Sequence, residues 1–295
     1  MRKKTLYIGG LICIGLSLLI LTSYPKFAVY QKKKDIFQSL DAKITTQTEQ
    51  LNVHSAILIQ DLSFPYLSVA CNEEETFPAA SIVKLPILAV ALNAVNEGRL
   101  SLSQKVVIMR KDVFGGSGVI KRMRFPVTLT VEKILELMIT HSDNTATNTV
   151  IGLLGFEYIN EGFKKLGLKN TTLSRKMMDF YKRKKGIENY TTAVDMTHLL
   201  ETIYSNRLVN KKFSQYALSL LKRQEVNDRL PRDLPEGVEV AHKTGLEKGI
   251  VHDIGIVFTS RGDYIICVLT KKVQKHKNAK NFIAQISLLT YNLYQ

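Results

Sequence analysis

Segments with strand character lie near both ends of this 295-residue chain, and mostly helical patterns fill the sequence between them. The strand-like segments are residues 55–60 and 66–71 near the start and residues 238–243, 251–259 and 264–271 near the end. Strands so far apart in sequence share one core most simply if both chain ends enter the same antiparallel sheet. The sequence therefore predicts an α/β (α+β) fold in which helices flank this sheet, with an all-helical subdomain at about residues 100–235.

Three helices are predicted around this sheet. Apolar residues recur at helical spacing over residues 35–51 and again near the C-terminus, so each of these helices has one face to bury. Another helix is predicted from about Ser81 to Glu97, ending at Gly98, because glycine commonly follows the last turn of a helix. The two terminal helices are expected to cover the sheet.

The first 34 residues have the composition of a membrane anchor or an export signal. Met1 to Lys4 is basic, the run from Thr5 to Pro25 is uncharged, and lysines return at positions 26 and 32–34. An apolar run of about 20 residues is long enough to cross a bilayer. No small-x-small cleavage site follows the run, which favours an uncleaved anchor over a cleaved signal. Residues 35–295 are then expected to form one domain.

The overall composition excludes several kinds of function. The net charge is +15, but no nucleic-acid-binding motif is visible, and the one basic cluster, Lys182–Lys185, is expected to be a solvated loop. Such a charge suits an exported protein beside an anionic membrane or cell wall. The six histidines show no metal-ligand spacing, so neither a metal nor another cofactor is implied. Cys71 and Cys267 are expected to be buried free thiols.

Three short motifs follow one another in the predicted domain: Ser81-Ile82-Val83-Lys84, Ser142-Asp143-Asn144 and Lys243-Thr244-Gly245. Each motif alone is weak evidence for a function. S-x-x-K also occurs at Ser23–Lys26 and Ser219–Lys222, S-D-N is typical of a turn, and K-T-G is typical of the end of a strand. Together they supply a serine with a nearby amine, a hydroxyl with an amide, and a cationic strand. These are the groups of an acyl-transfer site.

Ser81 and Lys84 are the candidate nucleophile and base. They are three residues apart at the predicted start of a helix, so their side chains share one face. A lysine that is desolvated and close to other cations has a lowered pKa and can accept the serine proton. The start of a helix also favours the negative charge that develops beside Ser81 during acylation.

The order, the spacing and the neighbouring residues of the three motifs resemble the penicillin-recognising serine hydrolases, above all the class A β-lactamase-like branch. The resemblance covers about residues 35–295 and implies an active site between the sheet and the helical subdomain. It implies that Ser142 shuttles a proton and that Asn144 holds the substrate amide. The groups expected to bind the substrate carboxylate and backbone or to stabilise the oxyanion are Lys243, Thr244, Gly245 and the N–H groups of Leu246 and Ser81.

Two further residues are less firmly placed by the resemblance. His252 begins a predicted strand where some class A enzymes carry an arginine, so a protonated His252 is expected to help bind the carboxylate, with a core or surface histidine as the alternative. The family's deacylating glutamate is missing. Counted from Arg175, its place falls on Met177, and Asp179 is the nearest carboxylate that could replace it, whereas Glu188 is expected to be solvated or structural.

The sequence thus predicts an extracytoplasmic, membrane-anchored monomer, or a secreted one if the N-terminal segment is cleaved. Its expected activity is β-lactam hydrolysis through an acyl-enzyme at Ser81, with slow deacylation because no positioned base is evident. A penicillin-binding D-alanyl-D-alanine carboxypeptidase acting on peptidoglycan peptides is the alternative enzyme. A β-lactam-binding sensor without turnover is the alternative outside enzymes.

Overall fold

The computed structural model describes residues 27–48 and 54–294. Most of the predicted anchor, residues 1–26, lies outside the described residues. Of the helices in the described ranges, none has both the length and the apolar character needed to cross a bilayer. The first helix, α1, covers residues 27–48 and thus begins before residue 35, where the apolar pattern predicts its start.

The strands lie mainly near the two ends of the described chain, as the sequence predicts. They are β1 (His54–Asp61), β2 (Ser68–Cys71), β3 (Phe77–Pro78), β4 (Lys105–Ile108), β5 (Val127–Thr130), β6 (Tyr190–Thr191), β7 (Val240–Glu247), β8 (Ile250–Val257) and β9 (Tyr264–Lys271). Five of them form the main sheet in the order β2-β1-β9-β8-β7, and all neighbours in it are antiparallel. Both ends of the chain therefore build one sheet, which confirms the predicted fold class. β7 forms one edge of this sheet and β2 the other.

The helices after α1 lie mostly between the two groups of strands. They are α2 (Lys84–Asn96), α3 (Val131–Thr140), α4 (Asn144–Leu154), α5 (Phe156–Lys165), α6 (Phe180–Lys184), α7 (Ala193–Tyr204), α8 (Lys211–Lys222) and α9 (His276–Leu293). A 3-10 turn, Ala80–Val83, precedes α2. Ser81 therefore lies in a tight turn that leads into the helix and not in the helix itself, where the sequence predicts it.

Two hydrophobic clusters cover opposite faces of the main sheet. Successive side chains of a strand point to opposite faces, and in β1 Ala56 and Leu58 join the cluster of α2, α3 and α7. Ile57 and Ile59 join the cluster formed with α1 and α9. The terminal helices thus cover one face of the sheet, as predicted, and the middle of the chain packs on the other.

The middle of the chain also contains strands, although the pattern of residues 100–235 predicts helices alone. β4 and β5 pair there as a small antiparallel sheet, and the short strand β6 pairs with β3. β4 and β5 are short and the segment between them is long, so no hairpin turn signals their pairing. The predicted buried thiol is confirmed for Cys267, whereas Cys71, at the end of edge strand β2, is only partly buried.

Candidate active site

The three motifs meet at the edge of the sheet. The Ala80–Val83 turn packs against β7, which carries Lys243-Thr244-Gly245. Ser142-Asp143-Asn144 forms the turn between α3 and α4 and lies on the same side. Residues of all three segments surround a cleft of about 240 Å³, which Ser81, Asn144 and Leu246 line directly. Because β7 is an edge strand, part of its backbone is not paired within the main sheet.

Asp143 fixes the turn that carries Ser142 and Asn144. Its buried carboxylate caps α4 by accepting a hydrogen bond from the Ala146 N–H at 2.9 Å. The other carboxylate oxygen accepts the N–H groups of Val119 and Ile120 at 2.7 and 2.8 Å. The carboxylate thereby ties the turn to the preceding loop.

The loop that Asp143 holds approaches it very closely at Gly118. The φ of Gly118 is +116°, which L side chains rarely adopt, and a Cβ there would lie 2.2 Å from the Asp143 carboxylate. Only glycine fits at this position. Ser142 also has a positive φ, +52°, so the turn holds its hydroxyl in a conformation that an ordinary turn would not give.

Lys84 is completely buried beneath this turn. Its Nζ donates to the Asn144 Oδ1 at 2.8 Å, to the Ser142 backbone oxygen at 2.5 Å and to the Ser142 Oγ at 3.2 Å. Desolvation lowers the pKa of Lys84 well below its ordinary value, and the nearby charge of Lys243 lowers it further. A lysine with a low pKa can lose its proton near neutral pH and then act as a base.

Lys243 approaches the same hydroxyl from β7. Its Nζ donates to the Ser142 Oγ at 3.0 Å and to the Thr244 backbone oxygen at 2.9 Å. Burial lowers the pKa of Lys243 to about 7, although the charge of Asp253 partly opposes this effect. The Ser142 hydroxyl therefore lies between two buried amines, and a proton can pass through it from one side of the cleft to the other.

Ser81 is partly exposed and faces the cleft. Among the hydrogen bonds of the described residues, Lys84 contacts Ser142 and Asn144 and does not contact the Ser81 hydroxyl. Deprotonation of Ser81 requires that contact, and catalytic hydrogen bonds often form only when substrate is bound. Ser81 and Asn144 line the cleft, and Lys84 and Ser142 are buried next to Asn144.

Gly245 is predicted to take part in substrate binding, and the packing around it also favours a glycine. A Cβ at this position would lie 3.1–3.3 Å from His252 and from Ile82, which is the residue after Ser81. A side chain at position 245 would thus press β7 away from the turn that carries the nucleophile. Leu246 follows on the same strand, is exposed and lines the cleft beside Ser81.

His252 does not take the predicted part in carboxylate binding. It is fully buried, its Nε2 lies 2.8 Å from the Pro78 backbone oxygen, and its Nδ1 accepts the Thr270 N–H at 3.0 Å. Burial lowers its pKa to about 4, so the ring is neutral at physiological pH. Both ring nitrogens are occupied by backbone groups, which contradicts the predicted role and makes His252 a structural residue of the core.

Asp179 is not placed to replace the missing glutamate. Its carboxylate caps α6 by accepting the Lys182 N–H at 3.0 Å. The cleft is lined instead by Met177 and Met178. Asn148 holds Met177 by two backbone hydrogen bonds, donating to its oxygen at 3.0 Å and accepting its N–H at 2.8 Å. This geometry contradicts the predicted role of Asp179 and leaves a thioether where the resemblance implies a carboxylate.

An ion-pair cluster fastens the loop of residues 174–190 to the end of β7. Arg175 pairs with Glu188 at 2.7 Å and with Glu247 at 3.0 Å. Arg183 pairs with Glu247 at 3.1 Å and with Glu188 at 3.5 Å. Glu188 is buried, so of its two predicted alternatives the structural one holds. Glu247 is the only carboxylate among the residues lining the cleft, and both arginines engage it.

Arg229 is a residue that the sequence analysis misses. It is almost completely buried, its Nε lies 3.5 Å from Asp228, and its Nη1 has no hydrogen-bond partner among the described residues. Its charge contributes to the lowered pKa of Lys243 and of His252. Arg229 thus adds positive potential behind Lys243. Since it lies outside the three motifs and in no periodic pattern, only the fold reveals this proximity.

The comparisons with known proteins agree with this arrangement. A model of the β-lactamase enzyme family matches residues 39–294. The β-lactamase VEB-1 of Pseudomonas aeruginosa is 28% identical over 242 residues, which cover 76% of this chain and 80% of that protein. The structure of the β-lactamase from Sphaerobacter thermophilus is similar with a TM-score of 0.80 and 28% identity, covering 87% of this chain and 96% of that one.

A second solved structure, that of PBP-A, is similar with a TM-score of 0.78 and 27% identity, covering 88% of this chain and 96% of that one. The likeness extends over the main sheet, the helical part and all three motifs, so the predicted resemblance is confirmed. The chain belongs to the β-lactamase enzyme family, whose members are serine hydrolases.

Proposed function

We propose that this enzyme is acylated by β-lactams at Ser81 and that it releases the acyl group slowly. Family membership supports β-lactam hydrolysis in general. The observation that carries the specific proposal is the Ser142 hydroxyl, which lies 3.2 Å from the Lys84 amine and 3.0 Å from the Lys243 amine beside the cleft that Ser81 lines.

In the proposed acylation, neutral Lys84 accepts the proton of the Ser81 hydroxyl as its oxygen attacks the β-lactam carbonyl carbon. The backbone N–H groups of Ser81 and Leu246 stabilise the oxyanion. When the carbonyl re-forms, the ring C–N bond breaks and its electron pair remains on nitrogen. Ser142 gives its proton to that nitrogen and regains one from Lys84, so that the amine is again neutral.

Binding of the substrate precedes this step. In this proposal, protonated Lys243 and the Thr244 hydroxyl bind the carboxylate of a β-lactam, and the charge of Arg229, which acts on Lys243, adds to the positive potential. The Asn144 side chain is oriented by Lys84 and by the Gly115 backbone oxygen, to which its Nδ2 donates at 2.9 Å. It is thereby held ready for a substrate amide.

The loop of residues 174–190 supports slow release of the acyl group from Ser81. Hydrolysis of the ester at Ser81 needs a base to activate water, and a positioned base contributes about 10²- to 10⁴-fold. Met177 and Met178 line the cleft on that side and cannot accept a proton, while Glu247 is engaged by two arginines. The same observation favours a second candidate function, a D-alanyl-D-alanine carboxypeptidase that penicillin inhibits. A mutant of the similar protein PBP-A is described as an acyl-enzyme complex with penicillin G.

The test follows the lifetime of the acyl group. The full chain is labelled with a fluorescent penicillin, excess reagent is removed, and loss of label is timed. Turnover of a chromogenic cephalosporin and release of D-alanine from an acyl-D-alanyl-D-alanine peptide are measured in parallel. We expect stoichiometric labelling, slow loss and low cephalosporin turnover. Equal labelling of the Ser81→Ala variant would overturn the assignment of the nucleophile, and fast D-alanine release would favour the carboxypeptidase. Stable labelling without turnover of either substrate would favour a sensor.

We also propose that the enzyme is a monomer anchored outside the cytoplasm. The uncharged run from Thr5 to Pro25 supports the anchor. Protease digestion of intact cells without their wall tests the location. The catalytic domain should be degraded while cytoplasmic proteins survive, and protection of the domain would contradict the proposal.

A further inference from the structure

Four aromatic side chains cluster at the beginning of α1. The ring of Tyr30 lies 6.5 Å from that of Phe27, 5.8 Å from that of Phe64 and 5.5 Å from that of Tyr66, measured between centroids. Phe27 is 57% exposed and Tyr66 is 68% exposed, although both are large and could be buried. We call these four residues the aromatic patch. Tyr30 and Phe64 are partly buried against the core, so Phe27 and Tyr66 are the exposed rings of the patch, and exposed aromatic groups of this kind mark surfaces that contact something else.

Several cationic side chains lie on α1 and in the turn between β8 and β9, and the Nζ of Lys33 is 5.7 Å from the centre of the Phe64 ring. Lys32 and Lys34 of α1 are exposed, as is Arg261 in the turn between β8 and β9. Lys33 is buried and paired with Asp61 at 2.5 Å, and Asp35 is the exposed acidic side chain in this part of α1. Beside the patch, Lys32 and Arg261 border a largely apolar cavity of about 280 Å³, together with Val29, Ile36 and Leu293.

The position of the aromatic patch in the chain limits what can cover it. The uncharged run that ends at Pro25 stops two residues before Phe27. Phe64 and Tyr66 lie in the turn between β1 and β2, at the edge of the main sheet opposite β7. With four strand spacings of about 4.8 Å between β2 and β7, the catalytic edge lies roughly 20 Å from this edge.

We infer that the aromatic patch and its cations rest on the surface of an anionic lipid bilayer, so that the domain lies against the membrane as well as being tethered to it. Tyrosine is enriched at the level of the lipid headgroups, and lysines beside a membrane segment attract anionic lipids. Lysine is depleted from the centre of protein interfaces, which argues against a protein partner at this surface. This inference extends the anchor proposal and is independent of the proposed chemistry.

The test uses the absence of tryptophan from the sequence. Tyr66→Trp in the full chain gives a single emitter in the aromatic patch, and Val107→Trp gives a matched emitter at a 57% exposed position on β4. Both proteins are incorporated into phosphatidylglycerol vesicles that contain phosphatidylcholine brominated high in its acyl chains, and floated. We expect the emission of the Tyr66→Trp protein to shift to shorter wavelength and to be quenched, while the emission of the Val107→Trp protein is unchanged.

Reversing the charges of two lysines tests whether they contribute to the membrane contact. In the Tyr66→Trp protein, Lys32→Glu with Lys34→Glu should reduce the quenching, whereas Lys211→Glu with Lys212→Glu, on exposed positions of α8, should not. Circular dichroism confirms folding, and Phe27→Trp replaces Tyr66→Trp if that variant fails to fold. Floated protein in which the patch tryptophan is quenched no more than the tryptophan of the β4 control would overturn the membrane contact alone. Failure to float would overturn both the anchor and the contact.

Discussion

The two sides of the cleft are built in different ways. On the side of Ser142, buried amines and hydroxyl and amide groups form a continuous hydrogen-bond network with lowered lysine pKa values. On the side of the loop of residues 174–190, Met177 and Met178 line the cleft together with Arg175 and Arg183, and both arginines are paired with carboxylates. The first arrangement can move protons, which acylation requires. In the second, the one lining carboxylate, Glu247, is paired with arginines, which supports the proposal that activation of water, the step that hydrolysis adds, is slow.

The hydrogen-bond network on the Ser142 side of the cleft is tested most strongly by Lys84→Ala. Removal of the base and of the amine that orients Asn144 should lower the acylation rate about 10⁴-fold. The measurement is the second-order rate of labelling by fluorescent penicillin. Lys84→Arg is a useful companion because its cation is retained while its pKa stays too high for a base. Labelling of Lys84→Ala at the rate of the unaltered enzyme would remove Lys84 from the mechanism.

The loop side is tested by Met177→Glu, which restores a carboxylate at the position implied by the resemblance. Deacylation should accelerate by about 10³-fold, because a positioned base supplies an effect of that size. The rate of acylation should change little. Met177→Gln is the matched control, with similar size and no basic carboxylate. If both variants lose label equally fast, the chemistry at this position does not limit release.

The ion pairs that hold the loop should matter for stability. Glu188→Gln leaves Arg175 buried with one carboxylate partner fewer, and breaking such a buried pair costs about 3 kcal/mol. The exposed pair of Glu161 with Lys164 gives the comparison, since solvent screens it and Glu161→Gln should lower the stability much less. Denaturant unfolding of both variants measures the difference. Equal costs would mean that the loop is held chiefly by other contacts, such as those of Asn148.

The smallest predicted effect is that of pH on substrate capture. Lys243 binds a carboxylate in its ammonium form, and burial has lowered its pKa to about 7. As pH rises above that value the free enzyme loses this charge, so kcat/KM should fall by about tenfold per pH unit. In Lys243→Arg, whose cation is permanent, this alkaline limb should be absent. If kcat/KM of Lys243→Arg fell at high pH in the same way, the pH dependence would belong to another group.

The sequence predicts the sheet, the terminal helices and the three motifs because each leaves a local signal, either periodicity or a short pattern of residue types. Prediction from the sequence fails where the role of a residue depends on contacts between distant segments. His252 looks like a cation that binds the substrate carboxylate until β8 places it between Pro78 and Thr270. Asp179 looks like a base until α6 uses it as a cap. Arg229 and Glu247 carry no motif, and only the folded chain brings them to Lys243 and to Arg175.

The two hydrogen bonds between Asn148 and the backbone of residue 177 have a consequence for how the activity of such an enzyme can change through mutation. Both of its hydrogen bonds go to main-chain atoms, so the course of the loop does not depend on which side chain residue 177 bears. A scaffold of this kind separates the shape of the loop from its reactivity. If release is slow as proposed, we expect a single replacement at that point to change the lifetime of the covalent intermediate while the surrounding backbone remains as it was.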